Sequence, residues 1–74
     1  MAAVESDPWV DGWTAGKYRQ LSPLPTVDRF EEWMEGFRTG CAEVGEHHLW
    51  RLRLGEYLVD VYGVIYAQLA RIVL

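Results

Sequence analysis

The chain has 74 residues with 7 basic and 11 acidic side chains, net −4, so it holds one domain at most and is a poor non-specific ligand for a phosphate backbone. Half of it is hydrophobic, which excludes a disordered tail. Its single cysteine excludes an internal disulfide framework and a four-cysteine zinc site.

Charge is unevenly placed. Residues 1–49 carry 4 basic and 9 acidic side chains, and residues 50–74 carry 3 and 2. That imbalance favours a basic protein surface as partner, or serves solubility alone. A chain this short buries only about 60% of the surface its unfolded form exposes. Four Trp, four Tyr and two Phe therefore densify a small core or anchor an interface, and composition leaves both uses open.

The opening MAAVESDPW has neither a basic n-region nor an apolar h-region. Tyr57 to Leu74 is apolar but interrupted by Asp60, Gln68 and Arg71. Both features, with the lone Cys41, lead to the expectation of a cytoplasmic protein without a membrane span. Ser6-Asp7-Pro8 reads as a helix start. Trp9, Trp13 and the Lys17 stem follow at i, i+4 and i+8, with Asp7 and Asp11 in or near the first turn. Gly12 and Gly16, four apart, mark either a face of close packing or a helix that ends at Gly16.

Residues 18–26, YRQLSPLPT, form a linker, because Pro23 and Pro25 forbid regular helix. A second helix is expected over 27–44, capped by Thr26 or Asp28, the latter in a capping-box relation to Glu31. Phe30, Trp33, Phe37, Cys41 and Val44 fall on one stripe. Glu31, Glu32, Glu35 and Arg38 cover the other side, and Gly40 or Gly45 is the expected stop. Gly45 to His48 reads as a connection, and Leu49 to Leu54 alternates from Trp50 like a strand before a Gly55-Glu56 turn. From residue 57 to 73 the stripe Leu58, Val61, Tyr62, Ile65, Leu69, Ile72 and Val73 predicts a third helix. The alternative is a C-terminal β-hairpin over about 49–69, since Trp50-Arg51-Leu52-Arg53-Leu54-Gly55-Glu56-Tyr57 resembles the central hairpin of RelE/ParE-type toxins.

Chemistry-bearing residues are sparse. Cys41, Glu43, Glu46, His47 and His48 hold the only metal-ligand types in proximity, but adjacent histidines on a helix point apart, and a solvated helix end is the simpler reading. Cys41 lies on the apolar stripe, as a structural thiol does. Ser6 and Ser22 are the only serines, and no glycine-rich phosphate loop is present. Neither catalytic residues, metal nor cofactor is expected. Arg51, Arg53 and Arg71 with Trp50 could touch nucleic acid, although pairing with the glutamates of the first half is the favoured use.

Gly12-Trp13-Thr14-Ala15-Gly16, then Ser22-Pro23, then Trp33-Met34-Glu35-Gly36-Phe37-Arg38 resemble the ribosome modulation factor family in order and spacing, over residues 7–42. The resemblance implies two helices joined by a proline-bearing linker, no enzyme activity, and attachment to the ribosome near its RNA. Two departures stand out. Leu24 replaces the aromatic that usually follows the proline, and Glu5, Asp7, Asp11, Asp28, Glu31 and Glu32 stand where those proteins are basic.

The expectation is a single all-α domain over 1–74, with a helical pair at 7–44 and an extension at 45–74. Its core between the first two helices is expected to be Trp9, Trp13, Phe30, Trp33 and Phe37, and its partner-binding residues Asp28, Glu31, Glu32, Glu35 and Arg38. The expected function is non-catalytic: docking on, and inhibiting, a larger nucleic-acid-handling complex with a basic surface, of ribosome-modulation type. The alternative is a phage-encoded inhibitor of host defence, of anti-CRISPR type, whose acidic helix imitates nucleic acid. Residues 57–74 are a candidate surface for homo-oligomer formation.

Overall fold

In the computed structural model, which describes residues 7–63, Asp7 starts the first helix. Its carboxylate accepts a hydrogen bond from the Trp9 N–H at 2.9 Å. Pro8 occupies the first turn, where its missing N–H costs nothing. Helix α1, Pro8–Tyr18, then runs past both glycines and stops at Arg19, the sole non-glycine residue of positive φ (57°) among those described. The Arg19 N–H closes the last turn on the Ala15 carbonyl.

Residues 19–26 cross to a 3₁₀ turn at Val27–Arg29 and then to α2, Phe30–Glu43. The expected cap at Thr26 or Asp28 does not form, because no side chain caps the start of α2. The 3₁₀ turn intervenes, and the Asp28 carboxylate takes the Thr26 hydroxyl, which holds it below its ordinary pKa. Helix α2 ends in a Schellman arrangement: the Gly45 N–H donates to the Ala42 carbonyl at 3.1 Å and the Glu46 N–H to the Cys41 carbonyl at 2.9 Å. Gly45 supplies the φ of +78° that this stop requires. Because the helix ends at Glu43, Val44 leaves the apolar stripe and is 45% exposed.

A second 3₁₀ turn, His47–Leu49, leads into α3, Trp50–Tyr62. Here the sequence expectation is corrected. Leu49–Leu54 is not a strand, and Gly55-Glu56 is not a turn but the middle of a helix. Five residues alternating W-R-L-R-L satisfy period two. Over the longer window, however, Trp50, Leu54, Tyr57 and Leu58 recur at helical spacing and point inward, while Leu52 turns outward, 60% exposed. The third helix thus starts seven residues before the expected Tyr57 and stops at Gly63, φ +93°. The hairpin alternative is excluded over 50–62. The remainder of the expected helix, 64–73, lies outside the described residues. The described residues form three helices and no strand, an all-α domain. None of these helices is long and apolar enough to cross a membrane.

Helices α1 and α2 meet backbone to backbone. A Cβ placed on Gly12 would overlap the Trp33 carbonyl, and one on Gly16 the Phe37 carbonyl. In return, a Cβ on Gly36 would overlap the Trp9 carbonyl, and one on Gly40 would lie 2.5 Å from the Trp13 carbonyl and 2.7 Å from the Lys17 nitrogen. Small residues let helical backbones approach this closely. This corrects the expected core. The buried residues of α1 are Pro8, Gly12, Ala15 and Gly16. Trp9 and Trp13 contribute their backbones to the seam while remaining only partly buried. Phe30, Trp33 and Phe37 are buried on the other flank of α2, with Met34, Cys41, Leu54, Tyr57 and Leu58. Trp33 stacks on Phe37 with centroids 5.5 Å apart, and Tyr57 closes on both rings at 5.9 and 5.7 Å.

The linker is fastened from α3. The Tyr57 hydroxyl donates to the Gln20 carbonyl at 2.9 Å and accepts from the buried Ser22 N–H at 3.1 Å. Leu24 packs partly buried against the core.

Candidate functional site

With Gly36 and Gly40 facing α1 and Trp33, Phe37 and Cys41 facing the core, the remaining side of α2 meets solvent. Asp28, Glu31, Glu32, Glu35 and Arg38 are all exposed. They are not equivalent. Asp28 carries the Thr26 hydroxyl. Glu32 is held by Arg29 through two hydrogen bonds of 3.2 and 3.0 Å. Glu31, Glu35 and Arg38 follow one another at i, i+4 and i+7 along one line, and with Met34 and Trp50 they line a shallow groove of about 210 Å³ between α2 and the start of α3. The guanidiniums of Arg38 and Arg51 lie 5.6 and 5.4 Å from the centre of the Trp50 ring, within cation–π range.

A second polar cluster ties α1 to the end of α2. The Trp13 indole N–H donates to one carboxylate oxygen of Glu43 at 2.7 Å, and the Lys17 ammonium donates to the other at 3.0 Å. The indole bond, then the lysine, hold the Glu43 carboxyl below its ordinary range, and the Glu43 bond raises the pKa of Lys17. Lys17 also sits 4.9 Å from the centre of the Trp13 ring, and Trp13 meets Tyr18 edge-on at 5.7 Å.

The residues weighed as metal-ligand types separate. Glu43 turns to Trp13 and Lys17, and Glu46 pairs with Arg53 at 2.6 Å and with Arg19 at 3.9 Å. Cys41 is buried, its Sγ 3.8 Å from the Gly16 carbonyl that accepts its weak hydrogen bond. No group of three or more His, Cys, Asp or Glu side chains that could hold an ion occurs among the described residues. Of the three arginines, Arg53 pairs with glutamates 46 and 56, Arg51 lies over Trp50, and Arg71 is outside the described residues. Of the expected self-association surface at 57–74, Tyr57 and Leu58 are in the core, Val59 and Val61 face outward, and 64–74 lie outside the described residues.

Two features of the site have no short-range sequence signal. Trp50 reaches the α2 groove from twelve residues beyond Arg38, and Trp13 reaches Glu43 across thirty. Compared with protein-family models, curated proteins and solved structures, the chain finds no match in any of the three.

Proposed function

We propose that this chain is a small, non-catalytic, cytoplasmic binding protein that docks on a basic surface of a larger nucleic-acid-handling complex and inhibits it by obstruction. The observation that carries this reading is the solvent side of α2, where Glu31, Glu32 and Glu35 lie exposed, with Asp28 in the turn before them, on a helix whose opposite side is fixed against α1 by four glycines. Fixed carboxylates on a rigid element favour encounter with a positive surface and fix its orientation. Arg38, at the end of the same line, would serve as a donor within that interface.

The ribosome is the complex favoured by the resemblance to ribosome modulation factor. Sequence departures from that family replace basic residues with acidic ones, so contact with a basic ribosomal protein suits this chain better than contact with RNA. The test is co-sedimentation. The full chain is expected to pellet with ribosomes at low salt and to be released as salt rises. A variant carrying Glu31→Lys, Glu32→Lys and Glu35→Lys is expected to stay in the supernatant. Absence of the unsubstituted chain from the ribosomal pellet at low salt removes the ribosomal reading. Retention of the triple variant removes the acidic face.

A further inference from the structure

We infer that the groove between α2 and the start of α3 is the point at which an arginine side chain of a protein partner anchors. The inference deepens the docking reading above and rests on it. Its starting point is how the carboxylates are distributed. Glu32 is neutralised by Arg29, Glu43 by Lys17, and Glu46 by Arg53 and Arg19. Glu31 and Glu35 have no cation at ion-pair distance among the described residues. They stand one helical turn apart, where two like charges oppose each other, so a cation between them would relieve that repulsion.

Arg38, three residues after Glu35, is placed to neutralise it but turns its guanidinium onto the Trp50 ring instead. The groove floor beside the two carboxylates is Met34, 7% exposed, and its wall is the half-buried Trp50. An apolar floor, an aromatic wall and a pair of carboxylates at the mouth match the two parts of an arginine side chain. Its methylene stem packs on Met34 and Trp50, and its planar fork of donors spans the two carboxylates. A nucleic-acid phosphate would find Arg38 and Arg51 at the Trp50 wall, but it would also meet Glu31 and Glu35, with which neither arginine pairs.

The test uses the full chain, a nona-arginine peptide, a nona-citrulline peptide that keeps the shape without the charge, and a nona-adenylate RNA. The readouts are the indole N–H resonance of Trp50 and the binding isotherm. Nona-arginine is expected to shift the Trp50 resonance saturably, and citrulline is not. The pair Glu31→Gln with Glu35→Gln, verified as folded by circular dichroism, is expected to weaken binding by about tenfold, the loss of one charge-assisted contact. The pair Glu56→Gln with Asp60→Asn, exposed on α3 and outside both the groove and the acidic side of α2, removes the same charge and is expected to leave affinity within about twofold.

Equal weakening by both pairs, or saturable binding that leaves Trp50 unmoved, overturns the groove assignment. So does absence of nona-arginine binding at low salt, or a Trp50 shift produced by the RNA and not by the peptide. Ribosome co-sedimentation separates this inference from the reading beneath it. If the unsubstituted chain and the Glu31→Gln, Glu35→Gln pair pellet equally, the groove assignment falls and the docking reading stands. If the unsubstituted chain does not pellet although nona-arginine binds in the groove, the ribosomal reading falls and the arginine site stands.

Discussion

At the scale of single residues, Cys41 and Glu43 behave oppositely although only two positions separate them. Cys41 is 1% exposed, and burial, reinforced by the Glu46 charge, pushes its thiol up to about 11. The thiolate is the reactive form. Ellman's reagent at pH 8 is therefore expected to leave the folded chain unmodified and to titrate one thiol in concentrated urea. Glu43 is exposed and acts through its charge. Its pKa is depressed in the folded state, so its contribution is present above the unfolded value of 4.5 and is lost as pH falls through the lower folded value. The Lys17 pKa is raised, so its share of the same contact is present below 10.5 and is lost as pH rises through the higher folded value. Glu43→Gln is accordingly expected to be less stable than the unsubstituted chain in urea titrations at pH 7, with the difference closing below pH 4.5 and narrowing above 10.5. Cys41 was legible in advance from its place on the stripe. Glu43 was not, because its partners on α1 are 26 and 30 residues away.

At the scale of elements, glycine has opposite consequences in different helices. A methyl group on Gly36 or Gly12 would overlap backbone, which cannot turn aside as a side chain can. Relief requires the helices to separate, at a cost of about 3 kcal/mol or more. A single core of this size supplies only about 3–5 kcal/mol. Gly36→Ala is therefore expected to be largely unfolded by circular dichroism at 25 °C. Gly55 lies mid-helix in α3 with nothing within 4 Å of an added Cβ. Gly55→Ala is expected to raise stability by about 0.5–1 kcal/mol, read as a rise of several degrees in Tm. The spacing of the two glycines of α1 is a local signal, which left close packing and a helix end at Gly16 both open until the structure showed the first. Their counterparts Gly36 and Gly40 were read only as part of a motif and as a helix stop, since pairing one helix with another is information the spacing within either helix does not hold. The start of α3 was misread for a related reason: five alternating residues fit a strand, and only the nine from Trp50 to Leu58 reveal the helical face.

At the scale of the whole molecule, α3 is coupled to the α1–α2 pair through the aromatic cluster and through Tyr57, whose hydroxyl bridges Gln20 and Ser22. Tyr57→Phe keeps the ring and removes the bridge, leaving the buried Ser22 N–H without that acceptor. The expected loss is about 1–3 kcal/mol in urea unfolding, with greater proteolytic sensitivity in the 19–26 linker. The surface shows the same division between legible and illegible. Exposure of Glu31, Glu32, Glu35 and Arg38 followed from the phase of α2 alone. Which carboxylates are neutralised, and the Trp50 wall beside Glu31 and Glu35, depend on neighbours that only the folded chain supplies.

The reciprocal glycines carry one more consequence. Where two rods touch through their main chains, sliding one past the other by a single residue would drive bulky groups into the contact, so only one alignment is permitted. That alignment does not depend on what decorates the outer sides. Mutation could therefore rewrite the outward decoration, and with it the choice of target, while the chassis beneath kept its shape.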